Sequence, residues 1–188
     1  MEFDSVIAEY VQKHTIADQK FRGGYLYQIS LIEAYLGGMI ASWFFQENLE
    51  KRQALVGYII NDINFNQKIK IFFKILKNHY SELYEKYPNL SKDFEEVRNL
   101  RNILAHSRLD TSIDYLSTKP ENIRFEFYKN GRMEHHIFTS ELIRQKLIES
   151  NTLFVQLSEI MVGISGDDSY NVKTTYHDSE RKTESLQR

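Results

Sequence analysis

Residues 97 to 108 read Val-Arg-Asn-Leu-Arg-Asn-Ile-Leu-Ala-His-Ser-Arg and bring Arg101, Asn102 and His106 together near the end of one helix. A guanidinium presents a planar fork matched to phosphate oxygens, and an imidazole exchanges protons near neutral pH. Held this close, the two can clamp and cleave a phosphodiester. At about 100° per residue from Arg98, the residues Phe94, Val97, Leu100, Ile103 and Leu104 fall between about 140° and 320°, which predicts a buried face. Glu95, Arg98, Asn102 and His106 fall between about 0° and 80° and form one polar stripe, because side chains four apart stack along a helix. Arg101 and His106 flank that stripe with Ala105 between them, where a methyl side chain lets a second backbone or a ligand come near. The opposing explanation is structural: cations in a last helical turn gain a few tenths of a kcal/mol from the helix dipole.

Arg-Asn-x-x-Ala-His closing an apolar-faced helix resembles the signature of the HEPN superfamily (higher eukaryotes and prokaryotes nucleotide-binding), whose hallmark is Arg, a polar residue, a few more residues and then His. The matching positions are Arg101, Asn102 and His106. Upstream, Phe65-Asn66-Gln67-Lys68 leads into an apolar helix and a Pro-interrupted loop, similar to the order of elements in several small HEPN families. The likeness extends over residues 22 to 160, with 100 to 107 its specific part. It implies a mainly all-α fold, a HEPN-like helical bundle, and a metal-independent endoribonuclease that leaves 2′,3′-cyclic phosphate ends. Ribonucleases of this superfamily are typically homodimers sharing one site. Many act as toxins or in abortive infection and antiviral defence, which makes an antitoxin or another regulatory partner a further expectation.

RNA carries its own nucleophile in the 2′-OH. Cleavage then needs an acceptor for that proton, a donor for the leaving 5′-oxygen, and positive charge on the developing phosphorane. Arg101 and His106 suit these roles, with Asn102 orienting the histidine or hydrogen-bonding the substrate. Arg98 and Arg108 are second-tier phosphate contacts. Lys70, Lys74 and Lys77 share one side of a helix, either as a solvated face or as further phosphate contacts. One histidine is few for a reaction wanting both base and acid, so a two-fold dimer through the signature helix is attractive. Two other readings stay open: a HEPN-like module without catalysis, binding RNA, nucleotide or protein, and a plain helical scaffold in which the motif is coincidental.

The elements that must position these residues follow from periodicity. Helices are predicted over 5 to 20, then, after Gly23-Gly24, over 25 to 46, where Gly37-Gly38 lets a neighbour approach closely. Gln53 to Asn61 is ambiguous between helix and strand. A long helix is expected over 65 to 87, then Pro88-Asn89, with Asn89 or Ser91 capping the signature helix. Asn130-Gly131 between two strand-like runs predicts a two-stranded hairpin at about 123 to 138. His135 and His136 point to opposite faces of its second strand and cannot make a two-ligand site by themselves, so no metal or cofactor is expected. Ser140 should cap a last helix ending near Val162 with Gly163 as its stop. Residues 1 to 163 then form one domain. Residues 164 to 188, with nine charged residues and three aliphatics, read as a mobile polar tail.

Composition narrows the classes. A chain of 188 residues with 41% apolar residues buries one substantial core. The absence of cysteine excludes disulfides, thiolate zinc and a cysteine nucleophile. A net charge of −2 excludes a generic nucleic-acid coat, so any RNA contact must be local. The first residues carry no basic segment followed by an apolar one, and the apolar stretch Ile29 to Phe45 contains Glu33, so a cytoplasmic protein with no membrane span is expected. There is no internal repeat, Gly-rich phosphate loop, His-Glu-x-x-His or convincing carboxylate pair.

Overall fold

The computed structural model describes residues 2–118 and 120–165. Their order is α1 (Glu2–Phe44), α2 (Leu49–Tyr58), a 3-10 turn (Ile60–Asp62), α3 (Phe65–His79), α4 (Ser81–Lys86), α5 (Leu90–His106), β1 (Arg108–Leu109), α6 (Ile113–Leu116), β2 (Ile123–Lys129), β3 (Arg132–Phe138) and α7 (Ser140–Ser165). The fold is mainly helical with one small antiparallel sheet, in the order β1-β2-β3. No described helix is long and apolar enough to cross a membrane.

The break expected at Gly23-Gly24 does not occur: α1 is a single helix of 43 residues that runs through both glycine pairs. Each interior glycine costs about 1 kcal/mol relative to alanine. Phe21, Tyr25, Ile29, Ile32, Leu36 and Met39 nevertheless continue one face across them, all almost fully buried. Burying each such side chain contributes about 1.5–3 kcal/mol, so the continuous face prevails. The close approach expected at Gly37 is made by the 3-10 turn, since a Cβ there would lie 2.9 Å from Ile60 Cγ2. A Cβ at Gly23 would meet nothing within 4 Å. Gly23→Ala should therefore stabilise by about 0.5–1 kcal/mol and Gly37→Ala should destabilise by about 1 kcal/mol, because β-branched Ile60 has little rotamer freedom to yield. Urea midpoints of the two variants shifting in opposite directions would bear this out.

The long helix expected over 65 to 87 is two helices. A capping box of Asn64 and Gln67 starts α3. Tyr80 then leaves the helical region at φ −139° and ψ 52°, and its ring packs against both apolar clusters of the protein. The ambiguous stretch 53 to 61 resolves into the end of α2 and the start of the 3-10 turn. Asn89 stands at the N-terminus of α5 with helical backbone and no side-chain cap, so the expected cap bond is not made. Thr139, not Ser140, caps α7: its Oγ1 accepts from the Leu142 amide at 3.0 Å.

Gly163 does not stop α7. The helix continues to Ser165 with Ile164 buried. Gly163 answers a packing need instead, since a Cβ there would lie 2.9 Å from Leu83 Cδ1. The expected polar tail thus loses residues 164 and 165 to the helix, and its remainder, 166–188, lies outside the described residues.

The hairpin forms where expected. Asn130 and Gly131 both have positive φ, 52° and 75°, as a two-residue turn matching the strand twist requires. It is the larger part of a three-stranded sheet, because Arg108 and Leu109 pair with Glu126 and Phe125. A two-residue strand has no alternation to read in a sequence. Phe125 and Phe138 drop from the sheet into the core against Phe21 of α1, with rings 5.3–5.4 Å apart along the chain Phe21–Phe138–Phe125.

Candidate functional site

Of the face its periodicity predicts, the signature helix buries Phe94, Val97, Leu100 and Leu104, with Leu90 added at its start, while Ile103 is half-buried and lines a groove toward the hairpin. Phe94 is gripped by the rings of Phe65, Phe72 and Phe73. The polar stripe consequently faces outward. Asn102, Ala105 and His106 are exposed, and Arg98 and Arg101 are half-buried. Arg101 Nη1 donates to Asn102 Oδ1 at 3.3 Å, so Asn102 orients the arginine.

Arg22 of α1 holds the end of α5. Its Nη1 donates to the carbonyls of Leu104 and Ser107, while its Nε donates to Asp18 at 3.0 Å. These contacts satisfy carbonyls that a helix end leaves open. Sequence reasoning missed this residue because it lay at the expected helix break; the Asp18–Arg22 spacing of four was the only local signal.

Charge pairing distinguishes the cations. Arg98 donates to Asn66 Oδ1 at 3.0 Å and stands 3.7 Å from Glu95. Arg108 is bound to the Glu126 carboxylate, which offsets its charge and weakens the case for it as a phosphate contact. Arg124 is bound to Asp110. Among the described residues, neither Arg101 nor His106 has a carboxylate partner.

Two grooves open on either side of the stripe. The first, about 510 Å³, lies between α3 and α5 and unites Lys70, Lys74 and Lys77 with Arg98 over a floor of Phe73, Tyr84 and Phe94. Lys77 Nζ sits 5.1 Å from the centre of the Tyr84 ring. The lysines that the sequence placed on one side of a helix thus meet an arginine from another. The second groove, about 390 Å³, lies between α5 and the hairpin, with Asn99, Asn102 and Ile103 facing Phe127, Lys129, Glu134 and His136. Arg98 in one groove and Asn102 in the other are a single turn apart, about 6 Å along the axis. A third groove, about 550 Å³, between α5 and α7 collects Asp93, Glu96 and Glu149 with Lys92 and Lys146. Burial and then the Glu96 charge raise the Asp93 carboxyl above its ordinary pKa.

The strand after α5 is fastened by Asp110. Its amide donates to Arg124 O at 2.8 Å, and its carboxylate accepts from the Ser112 amide at 2.9 Å and Arg124 Nε at 2.6 Å. Burial opposes ionisation of Asp110, but the hydrogen bonds from Ser112 and the Arg124 guanidinium prevail and hold the carboxyl below its usual pKa. A depressed folded pKa lends stability that is complete above about pH 4 and is lost as pH falls through the folded value. Asp110→Asn should therefore lower the melting temperature at pH 7 and flatten its decline in acid, measured by scanning calorimetry from pH 7 to 2.5.

His135 and His136 do lie on opposite faces, opposite Glu126 and Phe125 respectively. Ligand atoms of Asp110, Glu126 and His135 come within 4.8 Å of one another. Both carboxylates are already bound by arginines, which a cation would have to displace.

No protein-family model, no curated protein and no solved structure matches this chain.

Proposed function

We propose that the chain is a HEPN-type endoribonuclease of the cytoplasm, cleaving RNA without a metal by attack of the substrate's own 2′-OH at the end of α5. The observation that carries this reading is the state of Arg101. It stands with His106 on the outer end of α5 and has no carboxylate partner among the described residues, whereas the neighbouring Arg22, Arg98, Arg108 and Arg124 all have one. An arginine held by a neutral asparagine keeps its full charge for a phosphate. The purely structural explanation loses force because Arg22 already serves the last carbonyls of the helix.

In this reading the Arg101 fork binds the non-bridging oxygens, His106 transfers a proton, and Asn102 fixes the guanidinium. Lys70, Lys74, Lys77 and Arg98 hold phosphates farther along the strand. Exposed Ala105 leaves room for the α5 of a second copy, the two-fold arrangement that the resemblance implies. A toxin or antiviral effector of this type would be recovered poorly from expressing cells, and His106→Ala would relieve that.

The test incubates purified wild type and Arg101→Ala with labelled single-stranded and structured RNAs in EDTA and examines product ends. Cleavage by wild type alone, with cyclic phosphate termini, is the expected result. Intact RNA after incubation with folded wild type across a broad panel would replace this reading with a non-catalytic RNA-, nucleotide- or protein-binding module. The lysine groove favours that second reading, since it needs neither Arg101 nor His106.

A further inference from the structure

We infer that His136 is a second proton-transfer group of the cleavage site, acting in the same chain as His106. The inference rests on the ribonuclease reading and supplies what one histidine lacks. Transesterification forms the O2′–P bond and breaks the P–O5′ bond. The 2′-hydroxyl proton passes to one imidazole, and the other, as imidazolium, delivers a proton to the departing 5′-oxygen.

Three observations converge on His136. It lines the groove between α5 and the hairpin together with Asn102, which itself bonds Arg101 and stands one turn before His106. Its Nε2 is buried and has no hydrogen-bond partner among the described residues, although the side chain as a whole is 31% exposed. A buried ring nitrogen without a hydrogen bond is costly where the role is only structural. Finally, Glu134 Oε2 lies 4.0 Å from Nε2, and Phe127 stands edge-on to the ring with centroids 6.1 Å apart. The charged groups facing His136 in this groove are Glu134 from β3 and Lys129 from β2, while α5 contributes the uncharged Asn99, Asn102 and Ile103. Lys129 adds positive charge where the phosphorane would form.

The experiment measures single-turnover cleavage of one labelled RNA by wild type, His136→Ala, His136→Asn and His106→Ala from pH 5 to 9, with RNA affinity and melting temperature measured beside it. His136→Ala and His136→Asn are expected to lose at least about 100-fold in rate with affinity unchanged, and one limb of a bell-shaped pH profile should vanish. Added imidazole should restore part of the rate to His136→Ala. If His136→Asn, folded as wild type, cleaves within about threefold of it with both limbs present while His106→Ala is inactive, the inference is overturned and the ribonuclease reading stands. If wild type itself cleaves no RNA, both fall together.

Discussion

Alanine at His106 should reduce RNA cleavage by about 10²–10⁴-fold, the range over which a positioned general acid or base acts, with the fold left intact. The two halves of that expectation have separate causes. The loss follows from the chemistry, since among the described residues no other titratable side chain stands on the outer face of the last turn of α5 beside Arg101. The intact fold follows from exposure: the imidazole is outside the core, and Arg22 holds the carbonyls of Leu104 and Ser107 from α1. A surface change of this kind shifts stability by about 0.5 kcal/mol or less, within a few degrees of melting temperature. Arg22→Ala gives the useful contrast. It should lower melting temperature and cleavage together, because it frees the helix end that carries the proposed site. Fluorescent RNA time courses beside thermal melts separate the cases. Equal cleavage by wild type and His106→Ala would sink the ribonuclease reading.

The second large effect concerns binding. In a His106→Ala background, replacing Lys70, Lys74 and Lys77 by glutamine should weaken the affinity for a single-stranded oligonucleotide by at least about tenfold at physiological salt. Each phosphate contact on a single strand contributes about −0.7 to the slope of log K against log salt, so the triple variant should bind with a slope shallower by about 2. Three features assign this effect to the groove rather than to net charge. The lysines share it with Arg98, its floor is aromatic, and Lys77 already lies over the face of Tyr84. Bases stack on such surfaces with little sequence preference. As a control, glutamine at Lys13 and Lys51, cations on α1 and α2 that line neither this groove nor the hairpin groove, should leave the slope unchanged. Fluorescence anisotropy between about 50 and 200 mM salt covers the range over which phosphate contacts show. An unaltered slope in the triple variant would return the lysines to the role of a solvated face.

Much of this arrangement is written in local patterns. The inward and outward faces of α5 follow from five apolar residues at helical spacing, and the hairpin from Asn130-Gly131, two residues that tolerate positive φ. Arg101, Asn102 and His106 could be picked out because their side chains are set by one helix alone. Glycine misled the reading twice. At Gly23-Gly24 and Gly163 it looked like punctuation, and at Gly163 it answers a contact with Leu83, some 80 residues earlier in the chain.

What local pattern could not supply is everything that depends on two distant segments meeting. Lys70, Lys74 and Lys77 are a charged helix side until Arg98 of α5 faces them. His136 is one of two adjacent histidines until the sheet turns it toward Asn102 and leaves its Nε2 without a hydrogen bond among the described residues. Arg22 caps a helix that begins 68 residues later in the sequence. The type and periodicity of residues specify which groups can do chemistry and which face of each element is wet, because burial and backbone hydrogen bonding act within one element. Which charges are neutralised, and which remain available to a phosphate, is a property of packing between elements, since a carboxylate acts on an arginine only within a few ångströms and those few ångströms are set by the whole core.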